Sequence, residues 1–222
     1  MTVYKRSEYT DETIKSVLRN KKNPIHFLIL LDNPWEYEIN KTREFEFKRD
    51  PSDWTFQHVI QLNDEKINWL RNTAFEVADW ENIFVINDDI EVSKDYDEII
   101  ESHLWWNIVN PVFSSPNEEW LRYKDTNISW HARAIKKSDW KKLWDIDSRL
   151  KLRYWDDYIF HNAIDHWLKI KWIDDVQVFH WISKTLTNNE IKTEVELTKL
   201  DDMEARKQIL KEKWRNDFRF TF

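Results

Sequence analysis

Apolar positions follow two different periods along the chain, and these predict helices and strands in turn. A spacing of three to four residues predicts helices over residues 10–20, 65–78, 94–104 and 156–166, with a further helix starting at Ser138. Short apolar or alternating runs predict strands over residues 25–31, 43–48, 58–62, 83–86, 107–113, 128–135, 169–173 and 176–179. This order predicts a mostly parallel, three-layer α/β sheet, with an antiparallel strand near residues 128–135.

The C-terminal part of the chain has a different character. Residues 188–215 are dense in charge, and their apolar residues are spaced as in helices. We therefore predict one main domain over residues 1–185 and a helical extension over residues 186–222 that packs on it. The 222 residues are enough for one substantial core, and no linker-like segment divides them.

An acidic pair follows the predicted strand at residues 83–86, where Asn87 precedes Asp88 and Asp89. Ligands of open α/β sheets collect at the carboxyl ends of strands, so these side chains are expected at a cleft. Two carboxylates suit Mg²⁺ or Mn²⁺, which take oxygen ligands and complete their shell with phosphates and water. A plain turn remains an alternative, because Asn and Asp bond their own backbone.

Two more candidate ligand-binding sites, one acidic and one with a histidine, occur later in the sequence. Asp156 and Asp157 begin a predicted helix, and His180 ends a predicted strand. Each has a simpler structural explanation, since an Asp at a helix start is often an N-cap and most histidines make ordinary hydrogen bonds. Two adjacent acids nevertheless exceed what capping requires.

The chain is glycine-free and tryptophan-rich. It contains no glycine and 15 tryptophans, whereas average usage of about 7% would give roughly 16 glycines. Trp80, Trp155 and Trp167 stand near predicted helix ends, where glycine is favoured. One hypothesis is that most of these tryptophans replace glycine, through substitution or a recoded codon. The alternative is an aromatic-rich core.

Charge and composition exclude several functions. A net charge of -7 gives no general attraction to nucleic acid or anionic membranes. Without cysteine, disulfides and thiolate chemistry are excluded. No apolar stretch reaches the roughly 20 residues of a membrane span, and residues 1–6 do not resemble a signal peptide, so a cytoplasmic protein is expected. No Walker-type phosphate loop occurs, even when each Trp is taken as Gly.

Four segments in order carry a family resemblance: residues 72–89, 134–147, 154–160 and 167–180. Over about residues 25–183 the chain resembles the family 2-like glycosyltransferases with the GT-A fold. Trp80, Trp144 and Trp155 stand where that family tends to carry glycine. The resemblance implies a three-layer GT-A-like sheet, a nucleoside-diphosphate sugar as donor, Mn²⁺ or Mg²⁺ as cofactor, and transfer with inversion.

The resemblance also assigns roles to individual residues. It makes Asp89, in a DxD-like motif, and the separate His180 metal ligands, and it makes Asp157 the catalytic base with Asp156 beside it. The donor-binding residues that it implies are Asp32, Arg71, Asn87 and Asp88. His131 and Arg133 fall near the acceptor edge, where an Arg could hold the pyrophosphate, although solvated strand residues would explain both.

Other interpretations remain open from the sequence. The acceptor is unidentified and could be a glycan, a small molecule, a protein or a modified base. Tryptophans in the cleft would favour a non-catalytic protein that binds nucleotide sugars. A nucleotidyltransferase on a related sheet would share the acidic metal site but lack a base opposite the sugar carbon.

Overall fold

The computed structural model describes residues 1–4, 8–32, 34, 36–46, 55–62, 67–115, 118–121, 132–143, 146–151, 154–181 and 189–213. The strands are β1 (Thr2–Tyr4), β2 (His26–Asp32), β3 (Phe56–Leu62), β4 (Asn82–Ile86), β5 (Ile90–Val92), β6 (Ile108–Ser115), β7 (Glu118–Leu121), β8 (Ala132–Lys136) and β9 (Ile170–His180). The helices are α1 (Glu8–Asn20), α2 (Glu36–Glu46), α3 (Ile67–Val77), α4 (Tyr96–His103), α5 (Lys137–Leu143), α6 (Trp155–Asp165) and α7 (Asn189–Lys213).

The described strands form two sheets. The first has the order β1-β2-β3, and both of its pairs are parallel. The second has the order β4-β8-β6-β9-β5, with β7 paired to β6. In this second sheet β6 and β9 are parallel, whereas the other described pairs are antiparallel. The prediction of a mostly parallel sheet is therefore wrong, since the larger sheet is mixed.

One short connection accounts for part of the mixed pairing. Parallel neighbours need a crossover of a dozen or more residues, and only two residues separate the antiparallel neighbours β6 and β7. The three-residue strand β5 is too short to stand out in the apolar pattern. The antiparallel strand expected near residues 128–135 is confirmed as β8, which pairs antiparallel with both β4 and β6.

Helices cover both faces of the larger sheet. Along β4, Phe84 and Ile86 pack in one core with α1 and α4, and the alternate residues Ile83 and Val85 pack in the other core. This second core receives side chains from α3, α5, α6 and α7. Since successive side chains of a strand point to opposite faces, one strand serves both cores. Among the described helices, none has the length and apolar character to cross a membrane.

Two predicted elements differ from the structure. Residues 43–46 end helix α2 instead of forming a strand; the alternation of Phe45 and Phe47 with charged residues suggested the strand. The helix carries acidic residues in its first turn and Arg43 in its last turn, as the helix dipole favours. The strands predicted at 169–173 and 176–179 are one strand, β9, whose register with β6 shifts after the pair Pro111 and Ile173.

Trp167 occupies a backbone position that suits glycine. The N–H of Trp167 donates to the Ile164 carbonyl at 3.0 Å, and that of Leu168 donates to the Ala163 carbonyl at 2.8 Å. This is the Schellman arrangement, which places the residue after the helix C-cap in the left-handed region. Trp167 has φ 58° there, and its side chain is 90% exposed. The glycine hypothesis is therefore supported at this position.

The other two tryptophans do not share this geometry. Neither Trp80 nor Trp155 is among the described residues with positive φ. Trp155 is the first residue of α6 and is buried in the second core, as an aromatic core residue would be. Trp80 is 45% exposed between α3 and β4. The backbone thus supports glycine replacement at one of the three positions.

We predict that Trp167→Gly is more stable than Trp167→Ala by about 1 kcal/mol, because alanine retains the Cβ that disfavours the left-handed conformation. Both variants lack the exposed indole ring, so the difference in their free energy of unfolding reports only the backbone conformation at residue 167. Urea unfolding monitored by circular dichroism measures it. Equal stability of the two variants would show that this helix end relaxes out of the left-handed region.

Candidate functional site

The acidic segment lies between β4 and β5, and its geometry follows from the pairing of β5 with β9. That register places Ile90 opposite His180. Asp89 is buried, and its Oδ2 atom lies 3.2 Å from Nε2 of His180. The N–H of Trp181 donates to the carbonyl of Asp89 at 3.0 Å. The structure therefore brings together Asp89 and His180, the two predicted metal ligands, although they are far apart in sequence.

Asp88 sits beside this pair in an environment that disfavours its charge. Burial, followed by the charge of Asp89, raises the pKa of Asp88 to about 8. The hydroxyl of Thr10 on α1 donates to Oδ2 of Asp88 at 3.3 Å. Asp88 is thus largely protonated at neutral pH unless a cation lies nearby. Within the described part of the chain, no three His, Asp or Glu side chains are grouped as a metal site.

A basic cluster lies close to the acidic segment. Arg133 on β8 pairs with Val85 on β4, so its side chain points to the face that α3 and α6 cover. Arg71 comes from α3 and Trp155 from α6. The guanidinium carbons of Arg133 and Arg71 lie 3.7 Å and 4.2 Å from the centroid of the Trp155 ring. Arg133 is 1% exposed, so it is not a solvated strand residue.

Burial makes the charges of this cluster interact strongly. Burial lowers the pKa of Arg71 to about 10, while the charges of Asp156 and Asp88 oppose this shift. Burial, and then the charge of Arg71, lower the pKa of Arg133 well below its usual value. Asp156 acts on both guanidinium groups. Through Arg71, the basic cluster is electrostatically linked to the acidic segment.

Asp156 and Asp157 have different surroundings although they are neighbours on α6. Burial, and then the charge of Asp157, raise the pKa of Asp156 to about 6. Asp157 instead accepts from Arg206 of α7, whose Nε and Nη2 atoms both lie 3.0 Å from its Oδ2. Successive helix residues point about 100° apart, which explains why one faces the basic cluster and the other faces α7.

The remaining predicted donor and acceptor residues are less defined. Asp32 is the last residue of β2, opposite Leu62 in β3, and its side chain is not described. Asn87 is half-buried in the connection from β4 to β5. His131 lies outside the described residues. Asn72, next to Arg71, donates to the carbonyl of Ile146 at 3.2 Å and accepts from its N–H at 3.0 Å.

Sequence reasoning missed two residues of this site. The sequence suggests a replaced glycine at Trp155, whereas the ring of Trp155 stacks with two guanidinium groups. Arg206 lies 49 residues from its partner Asp157, in a segment that looked like any charged helix. No sequence signal distinguishes either role, because both depend on tertiary contacts.

Comparison with solved structures identifies the fold. GalNAc-T7 in complex with UDP, GalNAc and Mn²⁺ superposes with a TM-score of 0.64 at 11% identity, over 81% of this chain and 43% of that one. TarS of S. aureus superposes with a TM-score of 0.62 at 13% identity, over 82% and 36%. The fold is that of the GT-A glycosyltransferases.

The GT-A match concerns the fold and not the sequence. TarS 1-349 gives a TM-score of 0.62 at 14% identity, over 81% of this chain and 58% of that one. The chain therefore spans less than two thirds of each of these proteins. No protein-family model matches the sequence. No curated protein matches it either.

The raised pKa of Asp88 gives a prediction for stability. The native state holds this proton more tightly than the unfolded chain does, so the stability that it contributes is present below about pH 4 and is lost as pH rises towards 8. In metal-free buffer, we expect Asp88→Asn to gain stability relative to the original protein across that range, by on the order of a few kcal/mol. Urea unfolding at pH 4, 6 and 8 measures the gain.

Thr10→Val is the control for that experiment, because it removes the hydroxyl that donates to Asp88 and keeps the carboxyl. Thr10→Val should keep the pH dependence of the free energy of unfolding. It should also enlarge that dependence, because the hydrogen bond from Thr10 favours the ionised form of Asp88. A stability difference between Asp88→Asn and the original protein that is constant with pH would contradict the raised pKa.

Proposed function

We propose that this chain is a metal-dependent glycosyltransferase that moves a sugar from a nucleoside-diphosphate sugar to an acceptor hydroxyl. The observation that carries the proposal is the convergence, within a GT-A fold, of the acidic segment at β4 with the cluster of Arg71, Arg133 and Asp156. GalNAc-T7, which shares the fold, binds UDP, GalNAc and Mn²⁺.

The acidic segment suits a divalent cation in its chemistry. Burial and then the charge of Asp89 raise the pKa of Asp88, and a cation beside the two carboxyl groups would favour the ionised form of Asp88. His180 lies 3.2 Å from Asp89 and offers a nitrogen ligand. These residues would hold Mn²⁺ or Mg²⁺, with diphosphate oxygens and water as the remaining ligands. When bound, such an ion stabilises the charge that develops on a departing diphosphate.

Asp156 is better placed than Asp157 to act as the catalytic base. An acceptor hydroxyl must lose its proton as it attacks the anomeric carbon, and a base with a pKa near the working pH is effective. The pKa of about 6 and the position of Asp156 beside Arg71 and Arg133 suit this role. Asp157, which the family resemblance makes the base, is engaged by Arg206 and would position α6 against α7. A single displacement of this kind inverts the anomeric centre.

A second candidate is a binding protein without catalysis. The ring of Trp155 fills the space beside both guanidinium groups, and a filled cleft would admit a nucleotide sugar poorly or in a non-reactive position. Nucleotide-sugar binding without transfer or hydrolysis would distinguish this candidate from the transferase.

The first test is thermal stabilisation by UDP-, GDP- and dTDP-sugars, each with Mn²⁺ and with EDTA. We expect at least one sugar nucleotide to raise the melting temperature in Mn²⁺ and not in EDTA. Asp89→Asn should abolish the shift, because it removes a metal ligand. The matched control is Asp95→Asn, an acidic residue at the start of α4 outside the site. If no sugar nucleotide raises the melting temperature of the protein, the transferase proposal is wrong.

The second test separates the two carboxylates. We expect Asp156→Asn to lower transfer, or donor hydrolysis, by about 10²- to 10⁴-fold while the donor-dependent thermal shift remains. Activity of the original protein should rise with pH through about 6, as Asp156 loses its proton. Asp157→Asn should lower the melting temperature more than the rate, because it breaks the contact with Arg206. If Asp157→Asn lowers the rate more than Asp156→Asn does, Asp157 is the catalytic base instead.

A further inference from the structure

A gap lies between the two sheets, where residues 26–28 of β2 face residues 82–84 of β4. Residues of both strands line the same two cavities, yet the strands belong to different sheets. β1 lies beside β2 but does not reach its first residues. Thr2 pairs with Leu30, and the amine of Met1 donates to the carbonyl of Leu28 at 2.8 Å. The gap therefore begins where β1 stops.

The main chain of β4 faces this gap as an edge strand does. β4 stands at the end of its sheet in the described part of the chain, with β8 on its other side. The N–H of Lys137 donates to the carbonyl of Glu81 at 2.7 Å, so the odd-numbered residues of β4 bond to β8. The N–H and C=O groups of Asn82 and Phe84 consequently point away from β8, towards the gap.

Burial agrees with an uncovered edge on β4. Residues 83–85 are half-buried, whereas residues 132–135 of the neighbouring strand β8 are buried. On the other side of the gap, the N–H of Leu30 donates to the carbonyl of Met1 at 2.9 Å. The even-numbered residues of β2, Leu28 among them, therefore direct their main-chain groups towards the gap. An extended strand placed there could bond to both edges.

The two cavities lie on opposite faces of the gap and differ in size. The larger, about 330 Å³, is lined by Val17 of α1 and by Tyr96 and Ile100 of α4. The smaller, about 100 Å³, is lined by Ala74 and Ala78 of α3. Because successive side chains of a strand point to opposite faces, a strand in the gap would direct alternate side chains into the two cavities. Large apolar side chains suit the first cavity, and small ones suit the second.

The gap opens to solvent at the end where β4 begins. Trp80 is 45% exposed there, and Glu81 and Asn82 are exposed. The carboxylates of Glu81, Asp97 and Glu101 line the larger cavity, whose described lining contains no Lys or Arg. Charge complementarity therefore favours a basic residue at the end of the occupant that stays at this opening.

We infer that the gap between β2 and β4 is a docking site for an extended peptide segment of a partner protein, with lysine followed by alternating large apolar and small residues. The segment would add a strand to both sheet edges through main-chain hydrogen bonds. A segment parallel to β2, as β1 is, would have its N-terminal end at the opening. The opening lies at the other end of β4 from Asp88 and Asp89, and the inference does not rest on the proposed function.

The probe is the peptide Lys-Lys-Ile-Ala-Ile-Ala, acetylated and amidated at its ends, and isothermal titration calorimetry without metal or sugar nucleotide measures its binding. We expect one-to-one binding that is about tenfold tighter than that of Lys-Lys-Ile-Ile-Ala-Ala, which has the same composition without the alternation. Methylation of the backbone nitrogens of both isoleucines should weaken binding about tenfold, because it removes the donors to one strand edge.

Hydrogen exchange of single amides, followed by NMR, locates the bound peptide. The peptide should slow the exchange of the Phe84 amide, which points into the gap. It should leave the exchange of the Ile83 amide nearly unchanged, because that residue already bonds to β8. Equal protection of both amides would show a general stabilisation without strand pairing and would overturn the inference.

Two variants of Asn82 form a matched pair. Asn82→Pro and Asn82→Ala both lose the side-chain hydrogen bond to Glu101, but only the proline variant lacks the N–H that faces the gap. Proline is compatible with an edge strand at such a position. We expect Asn82→Pro to bind the peptide about tenfold more weakly than Asn82→Ala. If circular dichroism shows the proline variant to be unfolded, the methylated peptide with the original protein decides the outcome.

The outcomes separate this inference from the proposed function. The inference is overturned if the alternating peptide does not bind, if the shuffled or methylated peptide binds equally well, or if the two folded Asn82 variants bind it equally. Sugar transfer by a protein that does not bind the peptide would refute the docking site alone. Selective peptide binding by a protein that neither binds nor transfers sugar nucleotides would support the docking site and refute the transferase.

Discussion

Burial of like charges beside one another is the constraint on which the site depends. Asp88 and Asp89 are neighbouring carboxyl groups at the end of β4, where burial and then the charge of Asp89 raise the pKa of Asp88. Arg71 and Arg133 are neighbouring buried guanidinium groups that stack on Trp155. Each pair is unfavourable by itself in a region of low dielectric. The two pairs are close enough for the charge of Asp88 to act on Arg71. The charges of Asp156 and Asp88 therefore offset part of the cost of burying Arg71, and the charge of Asp156 does the same for Arg133.

Under the proposed function, a metal-bound diphosphate carries both signs, so its cation would meet the carboxylates and its phosphates would face the guanidinium groups. Such a ligand would relieve the repulsion within both pairs at once. Burial is the main reason that the pKa values of Asp88 and Asp156 are raised, and the charges of Asp89 and Asp157 respectively add to it.

The sequence predicted the parts of this site that depend on strand ends. An apolar run followed by acids locates Asp88 and Asp89 without knowledge of the fold, and Asp156 follows from its place at a helix start. The pairing of Asp89 with His180 could be expected only through the family resemblance, since it depends on how β5 and β9 align. The mixed sheet was missed because β5 has three residues and no helix precedes it. Helix α2 was missed because aromatic alternation over a few residues also fits a strand.

The tryptophans show why residue type alone cannot assign a role. Trp167 and Trp155 both lie at ends of α6, and both suggested a replaced glycine. At Trp167 the left-handed backbone and the exposed ring support that hypothesis. At Trp155 the backbone is helical and the ring packs between elements that the sequence keeps far apart. The local signal was the same, and the difference came from tertiary structure.

The C-terminal helix α7 contacts α6, the helix that carries Asp156 and Asp157. Through Arg206 it holds Asp157, and through Ala205 and Ile209 it buries apolar surface in the same core as Trp155. These contacts hold α7 against α6, whose first turn also carries Trp155 and Asp156. The extension outside the family resemblance is thus structurally coupled to the residues that would carry the chemistry.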